Sequence, residues 1–192
     1  MHTDGWNSSE FLIELPQVEF NPIEFLKEIG QSEMGHADRY EYAAYLNAYN
    51  KPTSQEISYH GGLIETAIVK HYLDIFKDFN IQLGTPENNH DYGTGLNGWS
   101  LIRSKRGASL PKHRDAKRPT CITFPLTFPQ RVNFWESKES TEPYVYEYKP
   151  VIILMNAGTK WHSTDPVDQP RIQFQLDCYN TWDEMKELAK TL

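Results

Sequence analysis

Cysteine is scarce in this sequence: Cys121 and Cys178 are the only two in 192 residues, and their separation is not that of metal-binding thiolates. That argues against a thiolate cluster or a disulfide scaffold and leaves two free, buried thiols as the expectation. Long apolar runs are missing too, since the longest aliphatic stretch, residues 151–155, is far too short to cross a bilayer. Residues 1–5 show no basic segment leading into an apolar one, so no secretory signal is expected and the reading is a cytoplasmic protein. Neither a glycine-rich phosphate loop nor a Gly-x-Ser-x-Gly element is present, which disfavours nucleotide hydrolysis and serine-hydrolase chemistry. Positive charge is in deficit. With 19 basic against 26 acidic residues the net charge is −7, and a general nucleic-acid binder needs a basic surface for phosphate.

The 12 prolines and 11 glycines are spread along the chain without repeat or low-complexity tract, and 192 residues suit a single domain. Its two halves differ in texture. Residues 11–15 read as a short strand, and Asn21-Pro22 supplies an N-cap followed by proline at the first helical position, predicting a helix over 22–29. Residues 38–50 read as helical, with Tyr42, Tyr45 and Tyr49 as a packing stripe, and 63–79 as a longer amphipathic helix that buttresses a sheet. Residues 84–98 form a Gly/Asn-rich loop, long enough for a lid.

From residue 99 onward short apolar runs recur, separated by turn formers such as Gly107, Pro119, Pro129, Pro143, Gly158 and Pro170. Strands are expected at 99–103, 120–128, 132–135, 144–148, 151–156 and 171–179, a pattern that implies a sandwich or jelly roll. A C-terminal helix over 181–192 begins at a plausible cap, with acids early and lysines late. The class is therefore α+β, a single domain over 1–192. Residues 1–98 would supply helical support and strand extensions, 99–179 the β core and 180–192 the closing helix. In the strand 171–177, Ile172, Phe174 and Leu176 alternate strictly with Arg171, Gln173, Gln175 and Asp177. Either an edge strand with a wet outer face or a barrel with a polar, ligand-holding interior would produce this alternation.

A non-haem iron site needs two imidazoles and one carboxylate on one face of an octahedron, leaving three positions open. A His and an Asp two apart on a strand point to the same side and can share one ion. The pattern His-x-Asp occurs three times, at His2/Asp4, His36/Asp38 and His113/Asp115. Only the last lies at the start of the β-rich half, just after Pro111. Downstream, His162 follows the apolar run 151–155 and the turn around Gly158; Arg171 comes nine residues later, and no other histidine has an arginine at that distance. Near this motif Arg103, Lys105, Arg106, Lys112, Arg114, Lys117 and Arg118 put seven cations within sixteen residues. They are either two solvated loops or a positive rim that steers an anion inward.

In these residues the chain resembles the Fe(II)/2-oxoglutarate-dependent oxygenase superfamily, specifically its prolyl-hydroxylase-like branch. The resemblance covers His113-Arg114-Asp115, His162 and Arg171 and spans residues 99–179. It implies a double-stranded β-helix (jelly roll, cupin-like) with the N-terminal helices packed on one face and a short C-terminal helix. It implies Fe(II) held by His113, Asp115 and His162, and Arg171 pairing bidentately with the distal carboxylate of 2-oxoglutarate. Many relatives place Ser or Thr two positions after that arginine; this chain has Gln173, so Thr123 and Arg118 are the candidates for a second contact to the cosubstrate. The implied reaction converts 2-oxoglutarate and dioxygen to succinate and carbon dioxide while hydroxylating an amino-acid or peptide side chain or a small molecule. Two other readings stay open. One is a non-catalytic β-helix module for metal binding or assembly; the other is a cupin-like metalloenzyme without a keto acid.

Overall fold

The structure is a computed structural model, and it describes residues 7–33, 39–41, 55–58, 66–84, 99–104, 106–115 and 118–192. Its β core consists of eight strands: β4 (Trp99–Ser104), β5 (Leu110–His113), β6 (Thr120–Pro125), β7 (Arg131–Trp135), β8 (Tyr144–Glu147), β9 (Ile153–Met155), β10 (Trp161–Thr164) and β11 (Arg171–Cys178). The chain crosses back and forth between two antiparallel sheets. Strands β4, β6, β9 and β11 enter the larger one and β5, β7, β8 and β10 the smaller. This alternation is the double-stranded β-helix. The larger sheet is extended by β1 (Leu12–Glu14), β2 (Arg39–Glu41) and β3 (Gln55–Ser58) to the order β1-β9-β6-β11-β4-β3-β2, and the smaller runs β5-β10-β7-β8.

Three helices accompany the sheets: α1 (Pro22–Glu33), α2 (Ala67–Asp78) and α3 (Trp182–Ala189). Each begins at a side-chain cap that satisfies amides the first turn leaves open. The Asn21 carboxamide oxygen accepts from the amides of Ile23 and Glu24 at 3.1 and 3.3 Å. Thr66 caps α2 through the amide of Val69, and Thr181 forms a reciprocal capping box with Glu184. Phe25 and Ile29 of α1, Val69, Leu73 and Phe76 of α2 and Met185 of α3 join Leu101, Ile122, Phe124, Leu154, Phe174 and Leu176 in one core on the outer face of the larger sheet. A second, smaller core lies between the sheets, where Phe11, Cys121, Val132, Phe134, Tyr146, Tyr148, Ile153 and Met155 meet.

The strict alternation in β11 now has its explanation. This strand is central, paired with β4 on one side and β6 on the other. Phe174 and Leu176 enter the helix-facing core, while Arg171, Gln173, Gln175 and Asp177 are all buried on the opposite face. A polar row buried between two sheets is the inside of a ligand-holding barrel; a wet outer edge would leave it exposed. The helical reading of 38–50 is corrected at residues 39–41, which pair with β3 as a strand, and the remaining residues of that span, with their tyrosine stripe, lie outside the described residues. The helix expected over 63–79 begins at Ala67, and the loop read over 84–98 lies outside the described residues beyond Gly84. No helix among the described residues is long and apolar enough to cross a membrane.

Candidate metal centre

His113 ends β5 and His162 lies on β10, the neighbouring strand of the same sheet, where the two are direct cross-strand partners. Both therefore project from one face, and their rings lie 4.3 Å apart between centroids. Asp115 follows two residues after His113, on a backbone tied to the turn before β10. Its amide donates to the Ala157 carbonyl at 3.0 Å, and the Gly158 amide donates to the Pro119 carbonyl at 2.9 Å. Gly158 suits this contact because a Cβ there would lie 2.8 Å from Pro119 Cα.

The imidazole tautomers follow from neighbouring carbonyls, which can only accept. His113 Nδ1 lies 2.7 Å from the Pro111 carbonyl and His162 Nδ1 lies 3.3 Å from that of Lys160, so both Nδ1 atoms carry the proton. The Nε2 lone pairs then face the carboxylate, with His113 Nε2 3.7 Å from Asp115 Oδ1 and His162 Nε2 3.8 Å from Oδ2. Burial pushes His162 down to about 4, favouring the neutral ring that a metal requires. Burial alone would raise Asp115, but the charge and hydrogen bonds of the Arg118 guanidinium lead the effects that outweigh it, and the carboxyl is held at about 2. One donor atom from each of His113, Asp115 and His162 lies within 4.8 Å of the others. Two neutral imidazoles and one ionised carboxylate fit a divalent transition metal with open positions.

Arg171 occupies the start of β11, on the same polar inner face. Only 2% of it is exposed, and Nη2 donates to Ser104 Oγ at 3.1 Å. Its Nε and Nη1 are buried with no hydrogen-bond partner among the described residues. A buried guanidinium with two unused donors is costly unless an anion completes it. Tyr148 is the polar neighbour that sequence reasoning missed. Its hydroxyl, driven well above the ordinary tyrosine range chiefly by burial, feels the Arg171 charge. Among the described residues it donates a long contact to Met155 Sδ, at 3.8 Å. Position 148 closed a run of alternating tyrosines, and nothing in that run singled out one hydroxyl.

The other sequence candidates lie close by with different partners. Thr123 Oγ1 donates to Met155 Sδ at 3.3 Å and accepts from Gln175 Nε2 at 3.2 Å. The Arg118 guanidinium is engaged by Asp115, Asp177 and Gln175. Gln173 is buried, and its Oε1 has no partner among the described residues. The cationic run divides. Lys112 lies over the Trp135 ring at 4.7 Å and Arg114 over Trp161 at 5.2 Å, on the outer face of the smaller sheet, while Arg118 turns inward. Cys121 and Cys178 are free and buried, and burial pushes the Cys121 thiol up to about 11, so it is no nucleophile at neutral pH.

No protein-family model and no curated protein matches this sequence. Solved structures do. A prolyl hydroxylase from Trichoplax adhaerens, in complex with a hypoxia-inducible-factor peptide fragment, superposes with a TM-score of 0.57 at 15% identity, over 97% of this chain and 89% of that one. The chain shares the fold of that prolyl hydroxylase. The non-haem α-ketoglutarate-dependent epimerase SnoN of nogalamycin biosynthesis gives 0.55 at 9% identity, covering 85% of this chain and 75% of its own. A Pseudomonas putida prolyl-4-hydroxylase gives 0.50 at 12% identity, covering 90% and 94%. The shared β-helix is thus kept at identities where sequence comparison finds nothing.

Proposed function

We propose that this chain is an Fe(II)- and 2-oxoglutarate-dependent oxygenase that hydroxylates an amino-acid or peptide side chain or a small molecule. One observation carries the cosubstrate half of the proposal: Arg171, buried on the polar inner face of β11 across from the sheet that carries His113 and His162, has two donors without a partner among the described residues. Its planar fork suits the distal carboxylate of the keto acid, and the buried Tyr148 hydroxyl, which feels the Arg171 charge, would donate a further hydrogen bond to it. Thr123 and Arg118, the other candidates for that contact, have protein partners for their hydrogen-bonding groups.

His113, Asp115 and His162 would hold the metal through Nε2, a carboxylate oxygen and Nε2. When bound, Fe(II) supplies the oxidative decarboxylation of the keto acid that drives substrate hydroxylation. The protein's own part is geometric. Backbone carbonyls fix the imidazole tautomers, and the layer of Phe134, Tyr146, Ile153 and Met155 keeps water from the interior. A peptide substrate is favoured because the neighbour from Trichoplax adhaerens carries a bound peptide.

The test is anaerobic addition of Fe(II) and 2-oxoglutarate to the purified protein, followed by admission of air. A weak visible charge-transfer band and succinate formation are expected. Metal binding without that band at saturating 2-oxoglutarate would reject the oxygenase and favour a binding module. Mass spectrometry for a 16 Da gain across amino acids and peptides would then identify the substrate.

A further inference from the structure

The guanidinium of Arg118 sits at the metal centre. Its Nε and Nη2 both donate to Asp115 Oδ2, at 3.0 and 2.5 Å. Its third nitrogen, Nη1, donates to Asp177 Oδ1 at 2.8 Å and to Gln175 Oε1 at 3.1 Å. We propose that Arg118 is a positioning residue of the metal centre: anchored on β11 by Asp177 and Gln175, it occupies Oδ2 of Asp115 and leaves only Oδ1 free to bind a metal. This inference rests on the reading of His113, Asp115 and His162 as metal ligands.

A carboxylate beside a divalent ion can bind through one oxygen or both. In a site that must keep three positions open, the second oxygen would occupy one of them. The arginine prevents this by geometry. Two of its donors converge on a single oxygen, and the third is fixed to another strand, so the planar group cannot swing away without breaking all four bonds. The backbone contributes as well, because the Asp115 amide and the Pro119 carbonyl are both held by the turn at Ala157 and Gly158.

A lone cation so close would also repel the metal. Asp177, buried on the inner face of β11, balances it. Asp115, Arg118 and Asp177 together carry one negative charge, the same as Asp115 alone. The arrangement orients the ligand without weakening the field that attracts the ion.

Two variants separate these roles, read with Mn(II) as the probe on the full chain. Water-proton relaxation of the bound ion reports how many water molecules it keeps. Arg118→Met frees Oδ2 for the metal, so relaxation enhancement per bound Mn(II) is expected to fall by about a third, from three open positions to two. Asp177→Asn leaves the Arg118 charge unbalanced, so Mn(II) affinity is expected to weaken by about tenfold with the relaxation enhancement unchanged. A folded Arg118→Met protein with the parent's enhancement overturns the proposal. Should that variant not fold, an Asp177→Asn protein with the parent's Mn(II) affinity overturns it instead. If the parent itself binds no Mn(II), or His162→Ala binds it equally well, the metal-centre reading has failed and the inference falls with it.

Discussion

At one end of the inner face of β11 every charge has a protein partner, with Asp115 against Arg118 and Arg118 against Asp177; at the other, Arg171 is buried with two nitrogens that have no partner among the described residues. Both ends are polar and enclosed by the same pair of sheets. The first is already assembled and presents lone pairs that could hold a cation. The second has two guanidinium donors without a partner among the described residues, which would suit an anion. A metal and a keto-acid carboxylate are what such opposite deficits would recruit into one interior.

The largest break in this comparison should come from the metal end. His162→Ala removes one of the three proposed ligands, and Mn(II) binding followed by calorimetry is expected to disappear, with the β-helix retained by circular dichroism. Arg171→Met attacks the other end. It should lower 2-oxoglutarate affinity of the metal-loaded protein on the order of a thousandfold, the loss of two charge-assisted hydrogen bonds, while leaving Mn(II) affinity unchanged. The same substitution is expected to stabilise the ligand-free protein by about 1 kcal/mol, because it removes a buried charge whose donors are unsatisfied. Thermal melts without and with 2-oxoglutarate should therefore move in opposite directions. A ligand-free melt that falls by several degrees would mean Arg171 holds the fold together and awaits nothing. Tyr148→Phe deletes a single hydroxyl and should weaken 2-oxoglutarate by about tenfold.

How much of this was legible in the sequence depended on which residues carried the signal. Apolar runs such as 120–125 and the alternation of 171–177 announced their strands, and Asn21-Pro22 announced α1. The strands that carry the histidines did not. Leu110–His113 and Trp161–Thr164 are four residues each, polar and interrupted by proline or serine, and they are held in the sheet by neighbours distant in sequence. His113, Asp115 and His162 were found through their chemistry and spacing, which is a signal independent of strand propensity. Arg118 was read as a candidate cosubstrate contact and its pairing with Asp115 could not be seen by either route, while Tyr148 was not singled out at all. An arginine three residues after an aspartate looks like an ordinary surface pair, and only tertiary pairing shows that both face inward.

Acid separates the two ends most gently. The His162 pKa in the folded chain, about 4, lies below its ordinary 6.5, because burial penalises the charged ring. The unfolded chain therefore takes up this proton first as pH falls. The share of stability that comes from a neutral His162 is complete above pH 6.5 and is lost between 6.5 and about 4. Asp115, held at about 2 against an ordinary 3.8, loses its share only further down, between 3.8 and 2. Nothing equivalent happens beside Arg171, where burial drives Tyr148 far above this range. Melting temperatures of the metal-free protein should accordingly decline from pH 6.5 towards 4, with His162→Gln flattening that decline and Arg171→Met leaving it in place. If the His162→Gln protein declined as steeply as its parent, the acid sensitivity would belong to another group and the buried neutral imidazole would lose its support.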